Sequence, residues 1–234
     1  MNCEICDSPM RVAYSGRDCV FTSTPDRRFS IFQCSACGFG KRLPQPDNLQ
    51  KYYPEEYYDY FSVIREREYS LRFRCWYERK FSPNLLLPQT KGRLLEIGFG
   101  GGYRLAELDS DGWDVVGIDS NEDAIEKAAE KSNAELLQGT LTDTEPEFSA
   151  GEFDLVLMEM TLEHIKNPFQ ALKEIKRILD SEGFVVIKCS NIDALFRKIF
   201  SKVLAGVRYS QTLLLLHAKS TREFDGKNGI LIGR

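Results

Sequence analysis

From residue 93 to residue 204 the chain alternates short apolar runs with amphipathic stretches. RLLEIG (93–98), WDVVGID (113–119), AELLQG (134–139), FDLVLME (153–159) and GFVVIKCS (183–190) read as strands. Between them GYRLAELDS, NEDAIEKAAEKS and PFQALKEIKRILD read as helices, and IDALFRKIFSKVL extends the series. Several of these strands are apolar at successive positions, so both their faces must be covered. Strands of that kind separated by helices predict a doubly wound α/β fold built on a parallel sheet.

The flanks follow other patterns. Residues 1–45 are turn-rich and carry cysteines without helical periodicity, which predicts a small module of hairpins stapled by a metal. Residues 46–91 contain a tyrosine-rich connector and then a lead-in helix over about 61–82, with Val63, Tyr69, Phe73, Trp76 and Phe81 on one broad face and Pro83 as its stop. The main domain is assigned to 92–205. Residues 206–234 break the rhythm, with VRYSQTLLLL and NGILIGR as two further strand candidates.

Composition changes this picture little. The 234 residues are 42% hydrophobic and 28% charged, close to globular averages, which excludes a disordered or fibrous chain. No apolar run approaches the ~18 residues that span a bilayer, and MNCEICDSPM lacks the basic and apolar regions of a secretory signal. Seven cysteines, four of them in two CxxC pairs, do not form the even framework of a secreted disulfide protein, so a reduced, cytoplasmic setting is expected. The net charge of -4 conceals a net of -13 across 92–182. That excess repels a polyphosphate backbone and disfavours a nucleic-acid partner, although the basic stretches 61–91 and 183–234 leave one open.

Chemistry concentrates in LLEIGFGGGYRLAEL, where Gly98, Gly100 and Gly102 lie between a strand and a helix. Glycines there allow a tight turn and a ligand's close approach to the backbone, beside the free N–H groups of a helix start. A dinucleotide fingerprint beginning at Gly98 would need its third glycine where Tyr103 stands, and no Gly-Lys-Ser/Thr follows to make a P-loop. Asp119, ending the second strand, can accept hydrogen bonds from both hydroxyls of a ribose, but in DSNEDA it also has the character of a helix cap.

These segments, together with FDLVLMEMTLEHIKNP and LKEIKRILDSEGFVVI, resemble the class I S-adenosylmethionine-dependent methyltransferases, whose sheet is Rossmann-like. The resemblance runs from about Arg93 to Leu204. It implies S-adenosylmethionine as cofactor, with Glu96 and the backbone of Gly98, Phe99, Gly100 and Gly102 around its methionine part and amino group. It further implies Asp119 on the ribose, Ser120 and Asn121 beside the adenosine, Thr140 and Leu141 flanking the adenine, and Glu159 and Met160 beneath the sulfonium. Many relatives carry an acidic residue where Thr140 stands. Methyl transfer to a hydroxyl or carbon acid needs a base, and His164 in LEHIKNP is a candidate by chemistry, with positioning of the following helix as its other reading.

Cys3-x-x-Cys6 and Cys34-x-x-Cys37 each turn two thiolates toward one point, and together they offer an S4 shell suited to structural zinc. A redox pair or disulfides are the alternatives. Cys19, Cys75 and Cys189 read as small packing residues. CxxC…QCxxCGFG…LPQPDNLQKYYPEEYYDY ahead of such a domain is similar to the zinc-ribbon methyltransferases of bacterial sugar, polysaccharide and secondary-metabolite pathways. That implies a small-molecule acceptor, with an RNA base methyltransferase or a catalytically impaired cofactor-binding module as the alternatives. Relatives continue further after the fifth strand than this chain does. The acceptor, the base and the oligomeric state are not legible in the sequence.

Overall fold

The computed structural model describes residues 1–17, 28–45, 87, 90–142, 148–188, 214–215 and 230–232. Its elements are β1 (Met10–Arg17), β2 (Arg28–Cys34), β3 (Gly40–Leu43), β4 (Arg93–Ile97), α1 (Tyr103–Ser110), β5 (Asp114–Asp119), α2 (Glu122–Ala129), β6 (Glu135–Gln138), β7 (Phe153–Glu159), α3 (Pro168–Ile178), β8 (Leu179–Lys188), β9 (Leu214–Leu215) and β10 (Ile230–Ile232), with a 3-10 turn at Leu162–His164. They fall into two compact units: β1–β3, the 3-10 turn and β9 in the first, the remaining elements in the second. The expected lead-in helix, most of the tyrosine-rich connector, the helix at 192–204 and Cys19, Cys75 and Cys189 lie outside the described residues.

The second unit is the parallel sheet that the apolar runs predict, in the order β10-β8-β7-β4-β5-β6, with every adjacent pair parallel. Leu94, Leu95 and Ile97 on β4 and Leu155 to Met158 on β7 are buried at consecutive positions, as strands covered on both faces must be. From β4 the chain winds through α1 to β5 and through α2 to β6. It then returns to the other side of β4 as β7 and winds outward through α3 to β8. Right-handed crossovers in opposite directions put α1 and α2 on one face and α3 on the other. The strand order therefore reverses between β4 and β7, and a crevice opens there at the carboxyl ends of the strands.

Leu105, Leu108, Ala124 and Ala128 pack from the helices against Leu94, Val115, Leu155, Leu157 and Val186 of the sheet. Each of the larger side chains contributes about 1.5–3 kcal/mol by leaving water. The helix ends are set by side chains the sequence displays. The Asn121 carboxamide oxygen accepts from the Asp123 N–H at 2.9 Å, and the Asn167 oxygen accepts from the Gln170 N–H at 3.2 Å, with Pro168 opening α3. The cap of α2 is thus Asn121, and the alternative reading of Asp119 as that cap is set aside. At the amino end of the sheet the Arg93 guanidinium reaches Asp114 at 3.3 Å on β5, Glu135 at 3.3 Å on β6 and Glu152 at 3.4 Å ahead of β7. The pairs are half exposed, so this clamp contributes about 1 kcal/mol or less, and it holds the edge opposite the crevice.

The first unit is an antiparallel sheet in the order β1-β2-β3-β9. Among the described residues Cys3, Met10, Cys34, Cys37 and Phe39 form one buried cluster, and Phe29 and Ile31 of β2 are buried as well. The two strand candidates at the end of the chain are realised as β9, which joins β3, and β10, which joins β8 in parallel.

Candidate functional site

The glycine-rich turn stands at the carboxyl end of β4. Gly98, Gly100 and Gly102 have φ of 73°, 55° and 73°, a region that side chains with a Cβ disfavour. A Cβ on Gly98 would lie 2.5 Å from the Thr161 hydroxyl oxygen, and one on Gly102 would lie 2.5 Å from the Ala128 Cβ. Phe99 stands between two of these glycines. Its ring is 6% exposed and packs in the core of the second unit, so only its backbone faces the turn. The two glycines flanking it let the chain dip inward and return.

Unlike α2 and α3, α1 begins on a glycine with no side chain bonded to its first turn, so its leading N–H groups stay available beside the turn. Asp119, at the end of β5, closes on the same turn. Its Oδ2 accepts from the Gly100 N–H at 2.9 Å and its Oδ1 from the Asn121 N–H at 3.0 Å. Burial pushes the carboxyl above its ordinary range, against the opposing pull of the N–H groups of Asn121, Gly100 and Ser120. Each oxygen retains a lone pair for a further donor.

On the other side of β4, Glu159 ends β7 with its Oε1 buried and without a hydrogen-bond partner. Met160 follows at φ 55°, a strained conformation for a side chain of its size, and is 37% exposed. Thr161, a residue the sequence reading passes over, explains the bend. Its hydroxyl lies 3.0 Å from the Glu159 carbonyl and 3.4 Å from that of Gly98, so one proton is shared between the ends of β7 and β4. Only a hydroxyl at the second position after a strand end hints at this in the sequence.

Glu96 is 2% exposed within β4. Ser120 is exposed, Thr140 is exposed with its hydroxyl 3.3 Å from that of Thr142, and Leu141 is buried. The structure therefore gathers Glu96, the glycine turn, Asp119 and Glu159 at the ends of three adjacent strands. Leu141 also lines a cleft of about 400 Å³ on α3 beside Gln170, Lys173 and Arg177, where Arg177 is paired with Glu174 and donates to the Phe148 carbonyl at 2.6 Å. His164 is half-buried in the 3-10 turn, which groups with the first unit.

In the first unit the four sulfur atoms of Cys3, Cys6, Cys34 and Cys37 lie within 4.8 Å of one another, with Cys3–Cys37 at 3.6 Å and Cys6–Cys34 at 3.5 Å, and all four are free thiols. Tetrahedral zinc with bonds of ~2.3 Å holds its sulfurs ~3.8 Å apart, so the donor set fits that ion. Each CxxC knuckle closes with an amide bonded back to its first cysteine, Asp7 to Cys3 at 2.9 Å and Gly38 to Cys34 at 3.1 Å. The closing residues have φ of 56° and 79°. The sequence signals the second of these through glycine; aspartate, which tolerates the same region, does the work in the first. Without a cation, burial pushes the Cys3 and Cys37 thiols up, whereas hydrogen bonds from Ser8 bring Cys6 down to about 6.

Residues 95–187 match the family described as "Methyltransferase domain". This segment is similar to methyltransferase domains. A ubiquinone biosynthesis O-methyltransferase of Glaesserella parasuis serovar 5 is 27% identical over 147 residues, which cover 57% of this chain and 57% of that protein. The chain thus spans little more than half the length of that curated relative. Among solved structures, a methyltransferase of Thermotoga maritima described as a possible histamine N-methyltransferase aligns at a TM-score of 0.51 with 22% identity, over 65% of this chain and 73% of that one. A plantazolicin methyltransferase solved with S-adenosylhomocysteine aligns at 0.51 with 21% identity, over 71% and 66%. These two likenesses concern the fold, a Rossmann-like α/β sheet. The glycines of the turn are required by the close approach of Thr161 and Ala128, and Asp119 beside them keeps acceptor capacity of the kind a ribose uses.

Proposed function

We propose that this protein transfers a methyl group from S-adenosylmethionine to an oxygen or carbon of a small-molecule acceptor, and that Cys3, Cys6, Cys34 and Cys37 hold a structural zinc ion. The observation that supports the first part is the coupling of Asp119 to the glycine turn through the Gly100 N–H, which sets a carboxylate with spare acceptor capacity against the turn at the strand ends. The relatives described as ubiquinone biosynthesis O-methyltransferases support an oxygen acceptor in a small molecule. A sugar or nucleotide sugar acceptor rests on the cysteine module's similarity alone.

When bound, S-adenosylmethionine supplies an electrophilic methyl group on a sulfonium. The residues' part is placement. Asp119 would hold the ribose, Glu96 and the backbone from Gly98 to Gly102 the methionine portion, Ser120, Thr140 and Leu141 the adenosine, and Glu159 with Met160 the floor below the sulfur. Such catalysis consists mainly of orienting the two reactants and excluding water. Four thiolates fill the zinc shell and leave no open position, which makes that ion structural.

Calorimetric titration of the full chain with S-adenosylmethionine, S-adenosylhomocysteine and NAD tests the reading. Saturable binding of the two sulfur nucleosides is expected, with none for NAD. Asp119→Ala should weaken binding about a hundredfold, the equivalent of two charge-assisted hydrogen bonds at ~1.5 kcal/mol each. Absence of binding in a folded, zinc-loaded sample overturns the proposal.

A further inference from the structure

The loop between β7 and α3 changes unit twice. Thr161 is grouped with the second unit, Leu162–Lys166 with the first, and Asn167, which caps α3, with the second again. Within the first unit the 3-10 turn at Leu162–His164 lies beside β9, β9 pairs with β3, and β3 pairs with β2, whose last residue is Cys34. Leu162 and Glu163 are buried in that turn. Backbone pairing thus runs from the cysteine cluster to a five-residue stretch, Leu162–Lys166, that lies in sequence between β7 and α3.

Both ends of the stretch are tied within the second unit, by different means. At the carboxyl end the Asn167 oxygen accepts from the Gln170 N–H at 3.2 Å, a bond confined to its own helix. At the amino end the Thr161 hydroxyl lies 3.0 Å from the Glu159 carbonyl and, across to the end of β4, 3.4 Å from the Gly98 carbonyl. Met160, just before it, holds φ 55°, a conformation that persists only where its surroundings impose it. Phe99 anchors the middle of the glycine turn in the core, and the Thr161 hydroxyl meets its first peptide.

We infer that Thr161 is a positioning residue through which zinc loading of the first unit sets the glycine turn, so that the turn keeps its shape for a nucleoside when the cysteines hold their metal. The inference rests on both parts of the proposed function and adds a dependence of one site on the other. Five residues, three of them in a 3-10 turn that rises ~2 Å per residue, leave little slack to absorb a displacement. A shift of Leu162 is passed to Thr161, and from its hydroxyl to the Gly98 peptide. Coupling of this kind is reciprocal, because both sites bias the same element. A single hydroxyl-to-carbonyl bond bounds the effect at about tenfold.

Amide exchange on the full chain, zinc-loaded and chelated, tests the coupling without any ligand. The reporters are Gly98, Gly100 and Gly102, whose N–H groups donate to the Ile118 carbonyl at 2.7 Å, the Asp119 carboxylate at 2.9 Å and the Phe99 carbonyl at 3.1 Å. In the native chain chelation should speed exchange at these glycines and at Ile165 about fivefold, and leave Val116 and Leu157 in mid-strand within about twofold. Thr161→Val removes the hydroxyl and keeps the branched shape. It should show the fast exchange at the glycines with zinc bound, and chelation should add less than about twofold. Thr161→Ser, which keeps the hydroxyl and loses the methyl, should respond as the native chain does; a role in packing alone predicts the reverse. S-adenosylhomocysteine affinity should fall about fivefold on chelation of the native chain and of Thr161→Ser, but not of Thr161→Val.

Unchanged glycine exchange on chelation of the native chain overturns the inference and leaves the metal and cofactor proposals standing. A response in Thr161→Val equal to the native one also overturns it. Should Thr161→Val fail to fold, the native response decides. Should chelation unfold the second unit as well, equal glycine exchange in zinc-loaded Thr161→Val and Thr161→Ser defeats the inference. A native chain that binds no zinc defeats it together with the metal proposal. If S-adenosylhomocysteine does not bind the zinc-loaded native chain, the cofactor proposal falls, and the exchange of the three glycines still decides the coupling.

Discussion

The two units solve the problem of staying folded by opposite means. In the first, β1, β2 and β3 carry Met10, Phe29, Ile31 and, beside β3, Phe39 as buried apolar residues next to the four converging cysteines. In the second, strands buried on both faces meet helices in an apolar cluster of eleven residues that includes no cysteine. A module of that small size cannot draw enough from apolar burial alone, and its cysteines converge where a larger core would be. The sheet of the second unit has that core, and its polar groups are free to gather at one end for ligand chemistry. On the proposed reading, buried sulfur in the first unit and the carboxylates at the strand ends of the second mark different tasks, holding the fold in one and holding a ligand in the other.

Removing zinc should expose that difference most sharply. A structural site of this type contributes ~10–16 kcal/mol to folding, so chelation should abolish hydrogen-exchange protection of β1–β3 while β4, β5 and β7 keep theirs. Equal protection before and after chelation, or a purified chain without equimolar zinc, would break the contrast. The next effect belongs to the core of the second unit. Leu155→Ala deletes a fully buried side chain and should cost about 2–5 kcal/mol in denaturant unfolding, whereas truncating exposed Val12 on β1 should stay within ~0.5 kcal/mol.

Smaller still is the effect of the glycine turn on stability. Gly102→Ala forces a Cβ into Ala128 at φ 73° and should cost about 1–3 kcal/mol. Gly112→Ala, at φ 89° with nothing within 4 Å of its Cβ, should show the backbone part alone. Matching losses at the two sites would mean that the approach of α2 to the turn is not tight. The smallest effect is one of pH, and its signs are opposed. Because burial raises the Asp119 carboxyl, this group favours the folded chain at low pH and loses that contribution as pH rises through its raised value. Ribose binding needs the ionised form, so adenosine affinity should fall on acidification, starting above the ordinary carboxylate range near ~4. Adenosine titrations across a pH series should show a shift of a few-fold, absent in Asp119→Asn.

Much of this was legible in the residues themselves. The runs at 93–98, 113–119 and 153–159 became β4, β5 and β7 because each is apolar beyond what one face needs and is bounded by glycine or a polar turn. The cysteine spacing carried the convergence of the four sulfurs for a similar reason, since a CxxC turn is local and two turns suffice. What escaped was tertiary. Nothing in DSNEDA distinguishes Asp119 from Asn121 as the cap; the distinction lies in the Gly100 N–H, nineteen residues upstream, which engages the aspartate and leaves the asparagine to the helix. Phe99 stands among the glycines of the turn as a backbone contact, and nothing in the sequence tells that its side chain turns into the core of the second unit. The order of the strands, and hence the place of the crevice, depends on pairings that periodicity does not encode.

The inward Phe99 ring has a thermal consequence. It occupies the core of the second unit and would be struck by any Cβ added to Gly117 on β5, 2.7 Å away, so the turn is anchored before a ligand arrives. A loop that is already ordered surrenders little conformational freedom when it is filled. Its occupant's heat of binding should then be governed by burial of the nucleoside's own surface, with a modest negative heat-capacity change and none of the larger one that accompanies a segment folding around its guest.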